Sequence, residues 1–90
     1  MAVYKYYSLI HQEDGAFIVS FPDLESCYSQ GDTLPEAVTM AEDVLGTMLS
    51  YYEDNGQSFP APSKVDAIHI PEGASLVFIT VDTNNFRETV

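Results

Sequence analysis

Carboxylates are the most abundant reactive groups in this chain: 14 of its 90 residues are Asp or Glu, against three Lys and Arg. Clustered carboxylates can hold magnesium ions for two-metal phosphodiester hydrolysis, so Glu13, Asp14, Asp23, Glu25, Asp32, Glu42 and Asp43 are the first residues to weigh. Their positions have simpler readings. Asp14 and Asp23 suit turns, where a short polar side chain hydrogen-bonds its own backbone. Asp32 precedes a helix cap, and Glu42 and Asp43 fall on the wet side of that helix. His11 and His69 lie in or near strands, and neither has the spaced His, Cys or carboxylate partners of a closed metal site. Cys27 has no base or cation beside it in sequence to lower its pKa, so it reads as a small buried hydrophobe. Ser20, Ser26 and Ser29 sit in no nucleophile elbow, and no glycine-rich phosphate loop is present. No cofactor is implied.

The aromatic residues Tyr4, Tyr6, Tyr7, Phe17 and Phe21 raise a different chemistry, base stacking on a strand platform. Such platforms are flanked by positive charge, and this one is not. The formal charge is −11, and Lys5, Lys64 and Arg87 are too scattered to form a phosphate-binding patch. Nucleic acid is therefore an unfavourable partner for this domain alone. An acidic surface instead favours basic protein partners and speeds their encounter, or simply aids solubility.

The elements that must position these groups fit one domain over residues 1–90. A chain this short buries a modest share of its surface, so a further subunit or partner would help stabilise it. No apolar run approaches the ~20 residues of a membrane span, and the start, Met1 to Lys5, lacks the apolar core of a signal peptide. A lone cysteine agrees with a reducing compartment. The expected location is the cytoplasm.

Residues 3–11 form a β-rich run, and Asp14-Gly15 is a hairpin signal leading into a strand over 16–21. Phe17, Val19 and Phe21 share the face expected to meet a helix. Pro22 stops the pairing, and Cys27–Gln30 is long enough for a short third strand. Thr33-Leu34-Pro35-Glu36 fits a capping box with proline in the first turn, and Gly56 is a left-handed terminator after Asn55. Between them Leu34, Ala37, Val38, Ala41, Leu45, Met48, Leu49 and Tyr52 trace one buried face. Gly46 and Ser50 are expected on the wet face with Glu36, Glu42, Asp43, Glu53 and Asp54. Met40, Val44 and Tyr51 widen the apolar arc to about half the helix, beyond the ~100° that one core contact needs. That flank is either a second contact, such as an oligomer seam, or lies under the 56–63 loop.

The two prolines of Phe59-Pro60-Ala61-Pro62 favour an extended connection, with Phe59 tucked into the domain. Val65–Ile70 is expected to be a short strand and Pro71-Glu72-Gly73 a turn. Ser75–Asp82 is the last strong strand, apolar on both faces near its centre and so expected inside the sheet. The tail from Thr83 to Val90 is polar and too short for another domain. The sum is an α+β order, β-β-β-α-β: a mostly antiparallel sheet with one long helix on one face. The other sheet face keeps apolar and aromatic residues that another subunit would cover.

The run Phe21-Pro22-Asp23-Leu24, then Cys27-Tyr28-Ser29-Gln30-Gly31-Asp32-Thr33 and Glu36-Ala37, resembles the N-terminal domain of HicB antitoxins. The aromatic first strand, Asp14-Gly15, Gly56 and Pro60-Ala61-Pro62-Ser63 extend the match over about residues 3–82. Ser26 departs from it, because the family usually has glycine before the cysteine, and this suggests a slightly different turn. The resemblance implies a partial RNase-H-like fold without catalytic carboxylates, an antitoxin role, and a tendency to oligomerise. It implies a small basic HicA-type toxin as partner, an mRNA-cleaving protein with a double-stranded-RNA-binding-like fold. Many HicB antitoxins add a C-terminal DNA-binding domain. Nothing after Asp82 is expected to form one, so DNA binding is not carried over.

The expectation is a non-enzymatic antitoxin module that masks such a toxin. Glu13, Asp14, Asp23, Glu25 and Asp32 are the expected acidic contacts and Tyr28 an anchor. Met40, Val44 and Tyr51 are the expected homo-oligomer interface. The alternatives are an RNA binder of the same fold and a stand-alone oligomeric regulator.

Overall fold

The computed structural model describes residues 3–86. Strands β1 (Val3–Glu13) and β2 (Ala16–Ser20) form a hairpin with Glu13 opposite Ala16. Its two-residue turn puts both Asp14 and Gly15 at positive φ, 50° and 84°. A mirror-image turn of this kind matches the natural twist of paired strands. Strand β3 (Tyr28–Gly31) pairs with β2, and β4 (Ala74–Asp82) pairs with β1 over nine consecutive positions. All pairings are antiparallel, in the order β3-β2-β1-β4.

One layer covers the sheet. Helix α1 (Leu34–Asp54) begins at the expected cap: the Thr33 hydroxyl accepts from the Glu36 amide at 3.2 Å. The Glu36 carboxylate reaches back one residue further than a standard box, accepting from the Asp32 amide at 2.9 Å. At the other end Gly56 takes φ 63°, with Gly56 N–H donating to the Glu53 carbonyl and Gln57 N–H to that of Tyr52. This is a Schellman ending, in which glycine avoids the Cβ penalty. Ala37, Ala41, Leu45 and Leu49 are fully buried against Tyr6, Ile10, Val19 and Ile79 from the sheet. Ser8 is the buried polar exception on that side, and its hydroxyl donates to the Val77 carbonyl at 2.9 Å.

The loop after α1 is pinned to the sheet. Phe59 meets the Tyr4 ring edge-on at 5.3 Å and stacks on Tyr52 at 5.8 Å. The Tyr6 hydroxyl donates to the Pro60 carbonyl. Asp23 accepts from both the amide of Ser63, at 2.7 Å, and its hydroxyl.

Four expectations are corrected. Val65–Ile70 is not a strand: Val65–Ala67 is a 3₁₀ turn, closed by the Ile68 amide on the Val65 carbonyl, and Val65 and Ile70 stay exposed. No strand edge takes this segment up, so its alternating pattern finds no sheet. Strand β4 is an edge strand, and β1 and β2 are the two with neighbours on both sides. The apolar residues on both faces of β4 reflect a second sheet face that is itself apolar, not an interior position. Gly46 and Ser50 are buried, while Leu34 is exposed. A 3₁₀ turn, Thr83–Phe86, folds back and lays the Phe86 ring over Gly46, where a Cβ would come within 2.2 Å of it. The third strand starts at Tyr28 rather than Cys27, which is wholly buried. The expectation for the tail beyond Phe86 lies outside the described residues.

Candidate functional site

The six candidate contact residues occupy two ends of the sheet. Glu13 and Asp14 form the β1–β2 turn. Gly31 lies opposite Phe17, so Asp32 emerges at that same end. Ala74 lies opposite His11, which brings the preceding Pro71-Glu72-Gly73 turn there too. Glu72 therefore joins Glu13, Asp14 and Asp32, all exposed. The sequence marked this turn, but it could not tell where the turn lands without the β1–β4 register. Asp23 and Glu25 sit at the opposite end, in the connection from β2 to β3. Tyr28, 65% exposed, lies beside them on the face of the sheet away from the helix, opposite Ser20.

These residues differ in what they are free to do. Asp23 is half-buried and spends both carboxylate oxygens on Ser63, so it latches the post-helix loop. Its charge also helps raise the pKa of the Tyr6 hydroxyl, after the larger effect of burial. Glu25 is exposed. His11 approaches Glu13 at 3.3 Å in an exposed pair, a geometry that contributes little in water.

Burial pushes the Cys27 thiol up to about 11, which keeps it protonated and poorly nucleophilic. Among the described residues no three His, Cys, Asp or Glu side chains converge as a metal site. No described helix is long and apolar enough to cross a membrane.

The outer side of α1 holds the second candidate surface. Met40 and Tyr51 are exposed and Val44 is half-buried. The 56–63 loop reaches Tyr52 through Phe59 and leaves this flank open. Val44, Thr47, Met48, Tyr51 and Tyr52 line a shallow groove of about 380 Å³. At 100° per residue, Glu36, Asp43 and Asp54 form the next row around the helix. Helix α1 carries five acidic residues and no basic one.

The model of the HicB-like antitoxins of bacterial toxin–antitoxin systems matches residues 6–90. The chain belongs to this family. Among curated HicB relatives, Antitoxin HicB 1 of Photorhabdus laumondii is 39% identical over 61 residues, covering 66% of this chain and 39% of that protein. Antitoxin HicB 2 of the same organism is 32% identical over 79 residues, covering 88% of this chain and 56% of that protein. The HicB-like chain thus spans between about two fifths and just over half of these relatives. Solved structures share the fold. A chain of a toxin–antitoxin complex from Streptococcus pneumoniae superposes with a TM-score of 0.85 at 19% identity, covering 99% of this chain and 80% of that one. The N-terminal domain of the Burkholderia pseudomallei antitoxin HicB gives 0.65 at 20% identity, covering 87% and 95%. The expected four-stranded antiparallel sheet with one long helix is the HicB arrangement. Membership of an antitoxin family suggests a regulatory rather than an enzymatic role.

Ser26 bears on the expected difference in the turn before Cys27. It takes φ 66°, the left-handed conformation glycine favours. The Cys27 amide bonds the Leu24 carbonyl at 3.3 Å, so serine closes a turn of the kind that glycine serves.

Proposed function

We propose that this chain is a non-enzymatic antitoxin domain of the cytoplasm that masks a small basic HicA-type toxin by direct protein contact. The observation that carries the reading is the placement of charge on a HicB-like scaffold. Exposed carboxylates stand at both ends of the sheet and along the helix, with only three basic residues in the chain. A cationic, RNA-binding surface is the complement of such a molecule, and electrostatic attraction would steer the encounter. RNA itself would be repelled.

Glu13, Asp14, Glu25 and Asp32 are the proposed charged contacts, with Glu72 added, and Tyr28 is a proposed anchor at the edge of the sheet. Asp23 supports this surface by holding the loop from beneath. The flank of Met40, Val44 and Tyr51, expected above as an oligomer seam, has an acidic row beside it. Two copies meeting there would bring like charges together with no basic residue to relieve them. We therefore assign the flank to a cationic partner offering an apolar side chain among lysines or arginines.

The test is an association-rate measurement with a small basic HicA-type toxin. The variant carries Asp14→Asn and Glu25→Gln. Asparagine tolerates the left-handed backbone at residue 14, and Asp23 is left intact to keep the loop in place. The on-rate is expected to fall several-fold at low salt, with the difference shrinking as salt screens the field. An unchanged on-rate at low salt contradicts electrostatic steering by these residues.

A further inference from the structure

Four aromatic rings form an unbroken ladder from the helix flank to the sheet. Tyr51 lies 6.2 Å from Tyr52, Tyr52 stacks on Phe59 at 5.8 Å, and Phe59 meets Tyr4 at 5.3 Å. Tyr4, Tyr52 and Phe59 are partly buried against the core. Tyr51 stands outside it, 61% exposed.

Two hollows open on this ladder and meet at Tyr52. The first is the groove of the helix flank, with Val44 and Met48 beside Tyr51. The second, of about 290 Å³, lies between the post-helix loop and the β2–β3 connection. Tyr52, Gln57, Phe59 and Pro60 line it together with Asp23 and Glu25. Among the described residues no Lys or Arg lines either hollow. The walls of the second are set in advance. Asp23 holds Ser63 and the Tyr6 hydroxyl holds the Pro60 carbonyl, so filling the hollow orders little that is not already ordered.

An aromatic wall beside a carboxylate has a specific chemical complement. A carboxylate alone attracts any cation. A guanidinium is planar, lies against aromatic rings and aims a fork of N–H donors at a carboxylate. A lysine ammonium is a compact, strongly hydrated point charge with neither the plane nor the fork. Asp23 is committed to Ser63, so the exposed Glu25 is the acceptor and Asp23 adds to the local negative charge.

We propose that the second hollow is a seat for one arginine side chain of the cationic partner. Its guanidinium lies against Tyr52 and Phe59 and pairs with Glu25. A neighbouring apolar side chain of the same partner enters the groove of Val44, Met48 and Tyr51. The antitoxin reading supplies the identity of that partner, and the arginine preference comes from the hollow itself.

The experiment titrates the whole chain with N-acetylargininamide and N-acetyllysinamide, which carry the same charge, and follows the aromatic side chains by NMR. The arginine amide is expected to shift Tyr52 and Phe59 saturably and to bind a few-fold more tightly than the lysine amide. Glu25→Gln should weaken it several-fold. Glu42→Gln removes the same charge on the opposite side of the helix and should leave it unchanged. A small basic HicA-type toxin, added next, should displace the amide. Equal binding of the two amides, or no shift at Tyr52 and Phe59, overturns the seat. Toxin that binds while the amide stays in place overturns its assignment to the partner. Toxin that does not bind at all contradicts the antitoxin reading, and the two amides still decide the seat.

Discussion

At the scale of single residues, Ser26 shows how a departure in side-chain type can leave a backbone turn in place. A left-handed φ costs a non-glycine residue ~1–2 kcal/mol, while a glycine adds ~0.5–1 kcal/mol of unfolded-state entropy. The strain is the larger of the two. Ser26→Gly is therefore expected to raise the unfolding free energy by about 0.5–1 kcal/mol, measured by urea denaturation. Loss of stability would mean that the serine makes a contact worth more than the strain. Asp23 carries a second lesson at this scale. Its type and turn position mark it as a surface charge, yet both oxygens are committed to Ser63, 40 residues away. The local sequence marks Asp23 as a turn residue, but nothing in it points to Ser63.

At the scale of elements, the tightest junction is between the end of β3 and the first turn of α1. A Cβ on Gly31 would stand 2.5 Å from the Ala37 nitrogen and 2.9 Å from its Cα. Those are backbone atoms of a capped helix and cannot rotate away. Gly31→Ala is expected to cost about 1–3 kcal/mol or more in a urea melt, as overpacking does. A neutral result would show that β3 and the helix can slide apart. Gly46→Ala is the milder case, because the opposing group is the Phe86 ring, which can swing out.

Helix α1, its two ends and the hairpin were legible in the sequence because capping box, Schellman glycine and Asp-Gly turn act over a few residues. What stayed hidden depends on long-range register. The edge position of β4, the burial of Gly46 and Ser50, and the arrival of Glu72 beside the hairpin are set by residues far apart in the chain. The 3₁₀ turn at Val65–Ala67 belongs with them. A short alternating run becomes a strand only when a sheet edge takes it up, and neither edge of this sheet does.

At the scale of the whole molecule, charge and apolar surface are segregated. Carboxylates hold the two ends of the sheet and the outer row of the helix, while the middle of the open sheet face is apolar, with Glu13, Lys5 and Asp82 toward its margins. The arrangement of charge suits a cationic protein and opposes RNA. The candidate site was only partly legible for the same reason: sequence gave the sign of the charge, and the fold split it into two ends. The most direct test of the antitoxin reading is an RNA-cleavage assay with a small basic HicA-type toxin, titrated with this chain at physiological salt. The account predicts that cleavage falls to background near equimolar ratio while the chain alone retains no RNA. Cleavage that persists with this chain in excess, or RNA held by the chain itself, would contradict it.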